Sequence, residues 1–192
     1  MVQNSRPFVC ISLSLILAAA LTATAQSPVP SPSEQKLLSG FSKKAKDYID
    51  QEQSLAANKM KPTSDVAKLE HQRKLLRDAV QQSRPNARQG DFFTPEVAPV
   101  FRKFLAQVLN GPDGEKIKAS LRHAEPGAPA RFSVNGEFPN ESGQPIQSVP
   151  PTVLKALPQL PKGLEYCIAG DTLALRDSSA NMVIDYLPNA LQ

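Results

Sequence analysis

Between residues 164 and 187 the chain reads LEYCIAGDTLALRDSSANMVIDYL. Its alternation of apolar and polar positions predicts three short strands joined by two tight turns. Gly170-Asp171 is a two-residue hairpin turn signal with glycine first. Centred there, the hairpin pairs Ala169 with Thr172, Ile168 with Leu173 and Tyr166 with Leu175. Leu164, Tyr166, Ile168, Leu173 and Leu175 then share one face. The other carries Glu165, Cys167, Ala169, Thr172, Ala174 and Arg176, which are small or polar. A second turn over Asp177-Ser178-Ser179-Ala180 is rich in turn formers. With Arg176 opposite Asn181, the side chains of Met182, Ile184 and Tyr186 join the apolar face and Asp185 points away from it. Such a sheet needs cover, and the helices upstream are the expected source.

Helical periodicity begins at Glu34, with Leu37, Phe41, Ala45, Tyr48, Ile49 and Leu55 on one face, and stops at Lys61-Pro62. Thr63 or Ser64 is the expected cap of a second helix that buries Val66, Leu69, Leu76, Ala79 and Val80 and closes at Arg84-Pro85. Thr94-Pro95 opens a third, the most apolar: Val97, Val100, Phe101, Phe104, Leu105, Val108 and Leu109 form a wide stripe expected to pack on the sheet. Pro99 is a candidate bend near its start. Asn110-Gly111 ends it, and residues 112–124 predict a short fourth helix with Ile117 and Leu121 inside. Proline then dominates. A strand over 131–134, a turn at Asn135-Gly136 and a short helix over 152–157 are the elements expected before the three strands. Helices followed by strands predict an α+β fold, with N-terminal helices on one face of a small, mostly antiparallel C-terminal sheet.

Residues 1–25 have the form of a targeting signal: Arg6, an apolar run over 8–21, and Ala23-Thr24-Ala25 ahead of Gln26. Cleavage between Ala25 and Gln26 is expected, with no transmembrane anchor afterwards, because the apolar run is short for a bilayer span. The expected organisation is a signal peptide over 1–25, a Pro/Ser-rich linker over 26–33 and one domain over 34–192, helical over 34–125 and β-rich over 126–192. The location expected is periplasmic or extracellular. Removing 25 of 192 residues leaves 167, enough for one core. It also removes Cys10, so Cys167 is left without a disulfide partner and packing must hold the fold.

The full chain has 22 basic and 18 acidic residues. Loss of Arg6 lowers the net charge from +4 to +3. The part from Pro126 onward has four basic and six acidic residues, so the excess lies on the helices. Lys61, Lys68, Arg73, Lys74, Arg77, Arg84 and Arg88 carry much of it. Arg73, Lys74 and Arg77 on the second helix are the candidate binding residues, for an anionic envelope component or another exported protein. Interleaved Asp65, Glu70 and Asp78 make a solvated helix face the plainer reading. Nucleic acid is not expected of an exported chain without a stacking-aromatic motif.

Motifs for chemistry are sparse. His71, His123 and Cys167 fall in different elements and lack zinc-ligand spacing, so no metal or cofactor is expected. Cys167 lies mid-strand among small residues, as a packed thiol does. Ser33-Glu34-Gln35-Lys36 fits S-x-x-K, but no K-T-G follows and the serine stands where a helix cap belongs. Gly111-Pro112-Asp113-Gly114 fails as a calcium loop, because the first and last ligand positions fall on Leu109 and Ser120. Asn140-Glu141-Ser142 fits a glycosylation sequon. Asp171 and Asp185 are the carboxylates that could meet across strands.

The stretch from Gly90 to Val97, GDFFTPEV, and a C-terminal set comprising Pro150-Pro151, Leu157-Pro158, Leu164-Glu165-Tyr166, Gly170, Leu175-Arg176-Asp177, Asn181 and Asp185 resemble predicted exported bacterial proteins. The resemblance implies an exported location and carries over no active site. The expected function is a non-enzymatic binding or envelope-interaction module. An exported hydrolase with a carboxylate-based site, and an inhibitor or assembly partner of another envelope protein, are the alternatives.

Overall fold

The computed structural model describes residues 29–122, 132–139 and 147–192. The signal segment, Cys10, His123, Arg131 and the Asn140 sequon lie outside them. Within them the fold is α+β. Helices α1 (Pro32–Ala56), α2 (Val66–Ser83), α3 (Val97–Leu109) and α4 (Gly114–Arg122) precede strand β1 (Gln147–Ser148) and helix α5 (Pro151–Ala156). Strands β2 (Leu164–Ala169), β3 (Thr172–Asp177) and β4 (Met182–Leu187) follow. The four strands form one antiparallel sheet in the order β1-β2-β3-β4. No helix of the described residues is long and apolar enough to cross a membrane.

Local chemistry explains the helix starts. α1 begins at Pro32, two residues before the expected Glu34. Ser31 and Glu34 form a reciprocal capping box, and proline at the first position loses no hydrogen bond there. Ser33 is thus inside the helix. α2 is capped by Asp65, whose Oδ1 accepts from the Lys68 N–H, rather than by Thr63 or Ser64. Thr63 Oγ1 accepts from the Asp65 N–H and so orients that cap. Val66 is exposed, a departure from the expected stripe. Pro99 lies in the first turn of α3, where no intrahelical amide is required.

The first hairpin pairs Ala169 with Thr172, Ile168 with Leu173 and Tyr166 with Leu175, as expected. Gly170 has φ +60, the sign that a primed hairpin turn requires. The second hairpin differs. Asp177 stays in the strand and pairs with Met182, and Arg176 pairs with Val183, so the turn runs over residues 178–181. Asp177 Oδ1 accepts from the Ser179 and Ala180 N–H groups, and Asn181 takes the left-handed φ of 49°. This shift keeps Met182 and Ile184 on the helix-facing side.

Beyond Ile184 the parity changes. The register slips between Leu175 and Arg176, so that Ile184 and Asp185 together oppose Leu175. This β-bulge turns Asp185 toward the helices, Tyr186 to the opposite side and Leu187 into the core in its place. The expectation that Asp185 points away from the helices and Tyr186 toward them is therefore corrected. Asp185 is fully buried.

The helix-facing core joins Phe41, Tyr48, Phe92, Phe93 and Phe101 to Tyr166, Leu173, Leu175, Met182, Ile184 and Leu187. Phe101 meets Phe41 at 4.9 Å, Phe93 at 5.1 Å and Tyr166 at 6.2 Å between ring centroids. The opposite face is not a polar surface. Phe138 covers Cys167, Ala174 and Val183, with Phe132 and Tyr186 beside them. Residues 132–134 are not the expected strand. Left-handed Asn135 and the turn at Gly136 allow one bridge, Glu137 to Met182, along the outer edge of β4. A Cβ on Gly136 would lie 2.9 Å from the Ser133 carbonyl oxygen, so that turn requires glycine.

Leu175→Ala removes a fully buried side chain and is expected to cost about 2–5 kcal/mol. Arg176 lies 4.6 Å over the Phe138 ring and donates to Asn181 Oδ1 at 2.7 Å. Arg176→Ala is therefore expected to cost about 1–2 kcal/mol rather than nothing. Urea melts of both variants check the order; equal losses would contradict it.

Candidate functional site

Asp185 organises the surroundings of the site. Its Oδ1 accepts from the Gly90 N–H at 3.0 Å, and its Oδ2 from those of Phe92 at 2.7 Å and Phe93 at 2.9 Å. The Tyr186 N–H adds a fourth bond, to Oδ1. A buried carboxylate is tolerated when its lone pairs are filled in this way. The loop before α3 is thereby fixed to the bulge, with Phe92 and Phe93 in the core and Gly90, at φ +89, on the outside.

An open cleft of about 600 Å³ lies next to this anchor, between the loop, the start of α3 and the end of β4. Phe93, Ala98, Tyr186 and Leu187 are among its apolar and aromatic walls; Arg88 and Arg102 are its charged groups. Arg102 is held by the chain, donating from Nε to the Asn189 carbonyl at 3.1 Å and from Nη2 to the Pro188 carbonyl at 3.0 Å. Arg88 is exposed, and its side chain makes no ion pair among the described residues. No carboxylate lines the cleft. Of the acids on the neighbouring segments, Asp185 accepts from four amides, Asp91 pairs with Arg84 at 3.8 Å and accepts from the Arg88 N–H at 3.1 Å, and Glu96 accepts from the Thr94 hydroxyl at 2.8 Å. Neither cleft arginine is ion-paired with an acid among the described residues.

The candidate residues on α2 are used differently. Arg77 is buried and reaches the β3–β4 turn, donating to the Ala180 carbonyl at 3.1 Å and pairing with Glu137 at 3.0 Å. Arg73 pairs with Glu70 at 2.8 Å and Lys74 with Asp78 at 2.9 Å, both on the helix surface. The structure does not bring the three together as a free cationic face. Arg88 was visible only as part of the general positive excess, and Arg102 was not singled out by the sequence at all. What joins them is the bulge.

A second polar cluster lies under α1. The Tyr48 hydroxyl donates to Asp177 Oδ2 at 2.6 Å in a buried setting. Glu52, one turn further along, is 4% exposed, and its Oε1 has no hydrogen-bond partner among the described residues. Burial, helped by the Asp177 charge, pushes Glu52 up to about 7. Burial also raises Asp177 from its ordinary value, against the pull of Tyr48 and the turn amides. Asp171 and Asp185, by contrast, do not meet: Asp185 opposes Leu175, and Asp171 accepts from Gln192. Among the described residues no group of three or more His, Cys, Asp or Glu side chains could hold a metal ion.

Compared with family models, with curated proteins and with solved structures, the chain matches none.

Cys167 is buried, and burial pushes its thiol up to about 11. It should resist a thiol reagent at pH 8 in the folded protein and react at once in denaturant. Cys167→Ala should cost on the order of 1 kcal/mol. Rapid labelling without denaturant would contradict the packing role.

Proposed function

We propose that the chain is an exported, non-enzymatic binding module, acting in the periplasm or outside the cell, and that the cleft beside the bulge takes an anionic group of its partner. The observation that carries this reading is the pairing of Arg88 and Arg102 in a cleft without a carboxylate. Arg102 is oriented by two carbonyls, and a guanidinium so oriented suits a carboxylate or phosphate. Tyr186, half-buried, lines the cleft beside the two arginines. The signal-like first 25 residues support export. The partner is an anionic envelope component or another exported protein.

The alternative is an exported hydrolase, and Glu52 with Asp177 is the carboxylate pair it would use. Both are buried beneath α1 rather than set in the cleft, which favours the binding reading.

Titration of the chain lacking residues 1–25 with phosphatidylglycerol vesicles and with polygalacturonate tests the proposal. Binding to at least one probe at low salt is expected, weakened by added salt. Arg88→Glu, at an exposed position, should reduce it about tenfold with an unchanged melting temperature. Failure to bind either probe, or equal binding by Arg88→Glu, would remove the cleft from consideration.

A further inference from the structure

The contact between α1 and the β3–β4 turn contains two buried carboxyl groups and one phenol, Glu52, Asp177 and Tyr48. Their positions in the hydrogen-bond network differ. Asp177 accepts from three donors: the Tyr48 hydroxyl and the Ser179 and Ala180 amides. Glu52 has none at Oε1. The cations near the cluster are directed elsewhere. Arg84 lies 5.3 Å over the Tyr48 ring, but its guanidinium donates to Asn135 Oδ1 at 3.1 Å and pairs with Asp91. Arg176 acts on Asp177 while bonded to Asn181 and 3.6 Å from Glu165. Ionised Glu52 would therefore be a buried anion facing a second carboxylate with no donor on its inner oxygen.

We propose that Glu52 is the proton-binding member of this cluster and acts as a pH-operated latch: protonated, it lets the C-terminal half of α1 seat on the β3–β4 turn; deprotonated, it loosens that half while the sheet stays folded. The sign follows from the direction of the shift. The folded protein binds this proton more tightly than the unfolded chain, so the neutral acid is the form the fold favours. The stabilising effect is complete below the ordinary carboxylate range, near 4.5, and is lost as pH rises through about 7. Asp177 is shifted in the same direction by burial, but its three donors hold it back. Tyr48 stays a hydrogen-bond donor throughout, because burial and the Asp177 charge raise it further. The inference does not depend on the cleft or its ligand.

Hydrogen exchange read by mass spectrometry, corrected for the intrinsic pH dependence of exchange, tests it on the chain lacking residues 1–25. Between pH 5.5 and pH 8, protection over residues 45–56 should fall about tenfold, while protection over residues 164–177 changes little; one pH unit above the midpoint gives that factor. Glu52→Gln, which mimics the neutral acid, should abolish the fall. An infrared carbonyl band of a protonated carboxylic acid should persist in the wild type at pH 6 and vanish by pH 8, and this measurement needs no variant. Protection independent of pH, an equal loss across all segments, an unchanged pH response in Glu52→Gln, or the absence of the band at pH 6 would each overturn the proposal.

Discussion

A carboxylate in the interior is the constraint around which the C-terminal half and its cover are arranged. With the bulge, Asp185 faces the core and must find hydrogen-bond donors there. The main chain around Gly90, Phe92 and Phe93 supplies three. The backbone turns that meet the carboxylate also send Phe92 and Phe93 inward against Phe41 and Phe101 and set the approach of the chain to α3. The extra residue in β4 turns Tyr186 onto the far face, where it meets Phe132 at 5.9 Å. One bulge thus links the aromatic core, the closing of the second face and the wall of the cleft. Removing Asp185 would leave the buried Phe92 and Phe93 amides without an acceptor, at about 1–3 kcal/mol each, a loss distinct from a simple cavity.

Much of the fold was legible because it rests on local pattern. The Gly170 hairpin register follows from period-two alternation and one turn glycine, and the structure has it residue for residue. The wide stripe of α3 and the proline that opens α5 are also local signals. The errors occur where a long-range contact decides. A strict alternation cannot show a bulge, and Asp185 in an otherwise apolar run looked like a solvent-facing acid because its donors lie more than 90 positions earlier. The closing of the second face was hidden for a similar reason. Phe138 follows a turn in a proline-rich stretch, and nothing near it in sequence indicates that it covers Cys167 and Ala174.

Charge misled in a related way. The positive excess on the helices suggested an outward basic face, yet α2 is joined to the rest of the protein largely through polar groups. Arg77 reaches the β3–β4 turn, Gln81 donates to the Asn135 carbonyl at 2.7 Å, and Arg84 exchanges hydrogen bonds with Asn135. Its fully buried apolar side chains are only Leu76 and Val80. A helix with so narrow an apolar seam is fixed in rotation by directional bonds, which tell neighbouring registers apart better than a few aliphatic contacts do. The cations available for recognition are then those the fold leaves unmatched by acids, and among them Arg88 and Arg102 share a cleft.

Two of the three interior acids of the helix-facing side, Asp185 and Glu52, are solved differently. Asp185 has four amide donors, all from backbone fixed by neighbouring aromatic residues. Glu52 lies one turn from Tyr48 on a helix that must bring its own polar groups to the sheet, and no comparable set of donors meets it. The contact that includes Asp185 is complete as an anion site. The contact that includes Glu52 leaves a buried oxygen without a donor. The cleft is built on the first and α1 is fastened through the second, so a change in pH should ease the N-terminal helix before it disturbs the loop that shapes the cleft. A fold built this way can keep the loop beside the cleft in order while α1 responds to pH.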